Sequence, residues 1–148
     1  MDRFRGSAPA RLDEKGRLKV PNLFRQQIEE TFGNEMFVTS LHWRELLLYP
    51  LPVWRTLEEK LAARPEIHRA KAKFLERVNY YGQNATLDAQ GRILIPQILR
   101  DAAKLPPDVV VTGNIDHLVV SDRGALASKL ASEDFTAEDY DEMSKLLT

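Results

Sequence analysis

The chain contains no cysteine among its 148 residues, which excludes disulfides, thiolate nucleophiles, iron–sulfur clusters and cysteine-ligated zinc. Histidine is scarce, and His42, His68 and His117 share no metal-ligand spacing of the His-Glu-x-x-His kind. The seven glycines form neither a phosphate-binding loop nor a dinucleotide fingerprint, and there is no Gly-x-Ser-x-Gly elbow. These absences argue against an enzyme, against a metal and against any other cofactor. Long apolar runs are missing too. The longest, Leu46 to Trp54, is interrupted by Pro50 and Pro52, and the opening MDRFRGSAPARL has no apolar stretch of signal-peptide length. The expectation is a soluble, cytoplasmic protein without membrane contact.

What is present is an ordinary globular balance, 43% hydrophobic and 29% charged. The length allows one domain or two halves of about 70 residues, each too small to hold a secure core without a partner surface. A net charge of −1 conceals a dipole. Residues 1–77 carry 15 Lys/Arg against 11 Asp/Glu, and residues 78–148 carry 6 against 11. The excess is steepest at the ends: 7 basic to 3 acidic within Met1–Arg25, and 1 to 6 within Glu133–Thr148. A basic contact surface and an acidic C-terminal segment follow.

An internal repeat organises the chain. Leu12–Arg25 reads LDEKGRLKVPNLFR, and Leu87–Arg100 reads LDAQGRILIPQILR, with six identities in fourteen positions at an offset of 75. In each copy Asp-x-x-Gly predicts a tight turn, the aspartate accepting backbone N–H bonds and the glycine taking a left-handed conformation. Arg17-Leu18-Lys19-Val20 alternates like a half-buried strand, whereas Ile93-Leu94-Ile95 is apolar on both faces and predicts a more deeply covered strand. Pro21 and Pro96 then suit helix starts. The stripe Leu23, Phe24, Ile28, Phe32 predicts the first helix and Ile98, Leu99, Ala102 its counterpart. Paired strands follow, Met36–Thr39 with Leu46–Tyr49 and Val109–Thr112 with Leu118–Ser121, and then helices over Pro52–Ala63 and Arg123–Ala131. Between the halves, apolar residues at Ile67, Ala70, Phe74, Val78 and Tyr81 predict a connector helix over Glu66–Tyr81, with Arg69, Lys73 and Arg77 on another face. Thr136-Ala-Glu-Asp predicts a capped, acidic last helix carrying Tyr140, Met143 and Leu146.

Asp13 and Asp88 recur by duplication and invite a catalytic-dyad reading, but the glycine three residues on favours turn chemistry. His42 and His117 fall in equivalent turn regions between paired strands, where a packing role outweighs a metal site. Arg17 and Arg92 place a guanidinium beside an exposed loop tip, either to pair with Asp13 and Asp88, to receive a phosphate, or both. Arg3, Arg5, Arg11, Lys15, Arg17, Lys19 and Arg25 are expected to surround the first turn with positive charge. The second copy lacks much of it, Lys15 and Lys19 being replaced by Gln90 and Leu94. The first copy should therefore lead any contact with nucleic acid. The stripe Arg69, Lys73, Arg77 is the competing face, with a solvated surface as its plain alternative.

The doubled Asp-x-x-x-Arg motif, Asp13–Arg17 and Asp88–Arg92, together with Phe4-Arg5-Gly6, resembles the MraZ family of bacterial transcriptional regulators, built from two AbrB-like units. The resemblance implies an α+β fold that is mainly a small β-barrel, made of tandem AbrB-like swapped-hairpin (double-split β-barrel) units with pseudo-twofold symmetry and flanking helices. The first unit would cover 5–54, a helical connector 55–82, the second unit 83–126, and a C-terminal helix and acidic tail 127–148. It implies a homo-oligomeric ring that binds double-stranded DNA at direct repeats in the promoter of the bacterial division and cell-wall gene cluster, as a repressor in the cytoplasm and on the nucleoid. The DNA-contacting positions fall on Lys15 and Arg17, with Arg92 as the duplicate and Arg5 and Arg11 as flanking cations; Asp13, Gly16, Asp88 and Gly91 form the turns. An AbrB-like protein-interaction scaffold or antitoxin-type module, gripping a basic partner with its acidic C-terminal segment, is the alternative.

Overall fold

The computed structural model of the protein describes residues 3–42, 44–64 and 68–148; Glu66 and Ile67, the expected start of the connector helix, lie outside them. Each half opens with a strand, turns at Asp-x-x-Gly and continues as a three-residue strand. In the first half these are β1 (Ser7–Arg11) and β2 (Arg17–Lys19), followed by α1 (Asn22–Thr31), β3 (Glu35–Thr39) and β4 (Glu45–Pro50). The helices α2 (Leu51–Ala62) and α3 (Arg69–Tyr81) connect to the second half. There β5 (Gln83–Thr86), β6 (Arg92–Leu94), α4 (Gln97–Ala103), β7 (Asp108–Asn114) and β8 (His117–Asp122) repeat the order. Two helices end the chain, α5 (Arg123–Ser132) and α6 (Ala137–Leu147). Pro21 and Pro96 stand immediately before α1 and α4, where a missing N–H breaks no helical bond. Thr136 and Asp139 form the expected reciprocal cap of α6.

The fold is mixed α+β with a mainly antiparallel sheet. Its strand order, β1-β7-β8-β4-β3-β5, reads the same from either half. The opening strand of each half pairs in the other: Ser7–Arg11 lies along Thr112–Asp108, and Gln83–Thr86 along Val38–Glu35. The pair β4/β8 joins the halves at the centre. Proline in β1 and polar residues in β5 occupy the two edges, the usual places for them.

The expected small β-barrel is corrected here, because the six-stranded sheet does not close. Strands β2 and β6 form a separate two-stranded ribbon, with Arg17 opposite Leu94, Leu18 opposite Ile93 and Lys19 opposite Arg92. Each is only three residues long, with a turn before it and a proline two positions after its end, too short to extend a ladder onto the sheet edges. A single bridge, Leu12 to Leu18, reaches back towards β1.

One core serves both halves. Phe24 and Ile28 of α1, Leu99 and Ala103 of α4, Leu18 and Ile93 of the ribbon, and Val38, Leu48, Val111 and Val120 of the sheet are buried together. Burying each such side chain is worth about 1.5–3 kcal/mol for the larger ones. A core shared by the two chain halves gives each the apolar cover that about 70 residues supply only marginally by themselves. On the other sheet face Trp54 of α2 stacks on Phe37 at 4.6 Å between ring centroids and meets Tyr49 edge-on at 4.9 Å. The Thr39 hydroxyl donates to the Val78 carbonyl at 2.7 Å, fixing α3 to β3.

Strand β6 corrects a second expectation. Its burial alternates as in β2, and Leu94, in place of a deeply covered position, is 53% exposed. Apolar composition on both sides does not bury a strand when nothing packs on its outer face. His117 likewise is a strand residue at the start of β8, not a turn residue. Its ring stacks on Tyr49 at 4.3 Å, and its Nδ1 lies 2.8 Å from an Asp116 carboxylate oxygen. Burial, and then the Asp116 charge, push the Tyr49 hydroxyl up to about 12.

Candidate nucleic-acid interface

The two turns are near copies in atomic detail. In the first, Asp13 Oδ1 accepts from the Lys15 N–H at 2.9 Å and the Arg17 N–H at 2.8 Å, while Oδ2 accepts from Arg17 Nε at 3.0 Å. In the second, Asp88 Oδ1 accepts from the Gln90 N–H at 2.8 Å and the Arg92 N–H at 2.9 Å, and Oδ2 from Arg92 Nε at 3.1 Å. Gly16 and Gly91 close the turns at φ +81° and +76°, with their N–H groups donating to the carbonyls of Asp13 and Asp88. The aspartates are consumed by this geometry. The carboxyl of Asp13 is held below the ordinary aspartate range chiefly by the Arg17 backbone N–H, and that of Asp88 by the Arg92 backbone N–H. Acid–base chemistry by an aspartate dyad has no place in such a site.

The Asp–Arg pair and a free guanidinium face coexist. Only Nε of Arg17 and of Arg92 is used by the aspartate, and among the described residues nothing bonds the terminal nitrogens of either. Each half-exposed guanidinium is held through Nε and keeps both terminal nitrogens uncommitted.

The ribbon decides which cations share a surface. Because side chains alternate along a strand and directly opposed residues share a face, Arg17, Lys19, Arg92 and Leu94 all lie on the outer side. Leu18 and Ile93, completely buried, anchor the inner side. Lys15 is exposed at the first turn beside this face, next to an exposed Glu14. The antiparallel register places the turns at opposite ends of the ribbon, so Lys19 lies across from Arg92 and Leu94 across from Arg17.

The halves also exchange their last arginines. Arg25, at the end of the first repeat copy, lies over the second turn: a Cβ added to Gly91 would stand 2.6 Å from its Nε, and its Nη2 donates to the Ala89 carbonyl at 2.8 Å. Arg100, at the end of the second copy, lies over Gly16 in the same way. Backbone bonds complete the crossing, Val20 N–H to Gly91 O at 2.9 Å and Ile95 N–H to Gly16 O at 2.7 Å. Lys19 and Arg25, expected around the first turn, therefore sit at the second, and the charge difference between the turns is smaller than composition suggests. The repeat carries an arginine at both 25 and 100, and that identity is the signal in the sequence for Arg100.

Other candidate cations are dispersed. Arg11 ends β1 and pairs with Asp108 across the sheet edge at 2.9 Å, both side chains being well exposed, a pair worth little in water. Arg5 is exposed at the opposite end of β1, whose five residues span about 17 Å. In the competing stripe, Arg77 donates through Nε to the Leu41 carbonyl at 2.8 Å and lies 5.7 Å from the Tyr81 ring centre, which ties it to the body of the protein. No group of three potential metal-ligating side chains occurs among the described residues, and no helix among them is long and apolar enough to cross a membrane.

Known proteins resemble the chain along nearly its whole length. A transcriptional regulator MraZ of Acidobacterium capsulatum is 48% identical over 136 residues, 92% of this chain and 93% of that protein. One of Koribacter versatilis is 45% identical over 144 residues, covering 97% and 98%. One of Escherichia coli is 32% identical over 136 residues, covering 91% and 89%. The family model for MraZ protein matches residues 4–77 and 82–144, a span that includes both turns and both crossed arginines, and the chain belongs to the MraZ family.

Proposed function

We propose that the protein is a sequence-specific DNA-binding transcriptional regulator, a repressor that acts at direct repeats in the promoter of the bacterial division and cell-wall gene cluster. The names of its relatives support regulation of transcription. The observation that carries DNA contact is the outer face of the ribbon, where Arg17, Lys19 and Arg92 are presented on a fully buried support with Lys15 at the adjoining tip. A two-stranded ribbon fits the major groove, and arginine forks suit both phosphate and guanine edges. Lys15 and Arg17 lead, Arg92 assists, and Arg5 and Arg11 extend the contact along β1. The exchange of opening strands between halves supports reading 5–54 and 83–126 as tandem AbrB-like swapped-hairpin units, joined by 55–82 and followed by 127–148.

One chain offers few cations for binding at physiological salt, so copies assembled as a ring supply the rest through effective concentration. Binding to promoter DNA implies a cytoplasmic, nucleoid-associated protein. Binding of the purified protein to its promoter fragment, with and without the direct repeats and across a salt series, tests the reading. Repeat-dependent, salt-sensitive binding is expected, abolished by Arg17→Ala with the fold intact and reduced less by Arg92→Ala. Undiminished binding by Arg17→Ala would overturn the assignment.

The C-terminal helix favours a second reading, a protein-interaction scaffold. No residue of α6 is buried; Tyr140, Met143, Leu146 and Leu147 are exposed, and acidic residues fill its first turns. Removing residues 133–148 and finding a basic protein partner lost, with DNA binding unchanged, would support that reading.

A further inference from the structure

Arg100 belongs to the second half, yet its guanidinium lies against the first turn. A Cβ on Gly16 would stand 2.6 Å from its Nε and 2.7 Å from its Cζ, so any side chain at this position would displace the guanidinium from its place against the turn. Its Nε donates to the Ile95 carbonyl at 3.2 Å, and the Ile95 N–H in turn donates to the Gly16 carbonyl. The side chain is thereby held at one nitrogen, half-buried, beside the tip that carries Lys15 and Arg17.

The contrast with Arg25 shows what this arrangement leaves available. Arg25 spends Nε on Glu29 at 2.8 Å and Nη2 on the Ala89 carbonyl, so its charge is neutralised by its own helix. The residue one turn after Arg100, at the offset equivalent to Glu29, is Lys104. The carboxylate of Asp101 is engaged by Gln97 at 2.8 Å. Among the described residues nothing bonds Nη1 or Nη2 of Arg100, and no carboxylate pairs with it.

We propose that Arg100 is a phosphate-binding residue of the first turn, delivered across the molecule from the second half, and that with Lys15 and Arg17 it forms a three-cation seat for a phosphodiester of the DNA backbone. The proposal rests on the DNA-binding reading above and deepens it. A guanidinium fixed through Nε presents its two terminal nitrogens as a fork, the geometry that suits two phosphate oxygens. The first turn then leads because the opposite half lends it an uncommitted arginine, whereas the arginine lent to the second turn is already paired.

The test is binding of the full-length chain to the same promoter fragment across a salt series, with Arg100→Gln, Arg100→Lys and, as a control on the exposed side of α2, Arg55→Gln. Arg100→Gln is expected to weaken binding about tenfold and to lower the slope of log K against log salt by about 1 for each subunit engaged. Arg100→Lys should recover the slope while remaining weaker than the native protein, and Arg55→Gln should match it. Weakened binding by Arg100→Gln with an unchanged slope would overturn the phosphate contact and leave Arg100 as a brace of the turn; unchanged binding would overturn both. If the native protein itself shows no salt-sensitive binding, the DNA-binding reading fails instead. Thermal melts of each variant separate lost contacts from lost fold.

Discussion

The first turn carries Lys15 at its tip and lies under Arg100; the second carries Gln90 and lies under Arg25, which Glu29 neutralises. Their backbones are superposable in every hydrogen bond, to within about 0.1 Å in the aspartate contacts. Duplication thus kept the part that geometry demands, the aspartate acceptors and the left-handed glycine, and let charge diverge at side chains that bear no structural duty. The two halves of the outer sheet face diverged similarly. Trp54 and Phe74 seal the first with α2 and α3, their rings 6.3 Å apart, while α5 over the second buries none of its residues. A repeat preserves what two copies must share to build one core and is free elsewhere.

Substituting the turn glycines should break the comparison most strongly. Gly16→Ala and Gly91→Ala each force an L-residue into left-handed backbone, at about 1–2 kcal/mol, and each Cβ meets the guanidinium lent by the other half. Equal losses of melting stability are expected from the two. DNA binding should fall much further for Gly16→Ala, because the displaced Arg100 and the distorted Lys15 tip belong to the leading turn. Equal loss of binding would mean that the turns contribute equally.

Making the second copy resemble the first should sharpen the difference more gently. Gln90→Lys restores at the second tip the cation of position 15, on an exposed site. Binding should tighten several-fold at low salt with a steeper salt dependence. No change in slope would show that the second turn does not reach DNA.

The smallest effect concerns pH, and it should be the same in both turns. Folding holds Asp13 and Asp88 below the ordinary value of 3.8, so the stability they contribute is complete above that value and is lost as pH falls through the lower, folded values. Between pH 5 and 8 these carboxylates should leave binding and melting flat. Below about pH 3.8 the protection of the Arg17 and Arg92 amides against hydrogen exchange should fall together. NMR titration of the two carboxyls checks this directly, and a carboxyl of Asp13 titrating at or above 3.8 would contradict the turn geometry.

Much of the fold was legible because its determinants are local. Asp-x-x-Gly closes a turn through bonds within five residues; proline before an apolar stripe begins α1 and α4; Thr136 and Asp139 cap α6 across three positions. Placement on a surface was less legible. Leu94 looked like a core residue, because composition records apolarity and not whether anything packs above. Lys19 and Arg25 are near Lys15 along the chain but not in space, because the antiparallel ribbon sends them to the other turn. Arg100 was visible as half of an identity and invisible as a neighbour of Gly16, 84 residues away.

By itself, the sequence determined the duplicated unit, its turn chemistry, the order of strands and helices, and the candidate arginines that follow each turn. All of these depend on bonds and periodicities spanning a few residues. Only the tertiary structure decided that opening strands cross between halves, that the sheet stays open beside a short ribbon, and which cations share a face. Those features depend on contacts between residues about 45 to 105 apart, where the chain's path through space, and not its local pattern, sets which side chains meet.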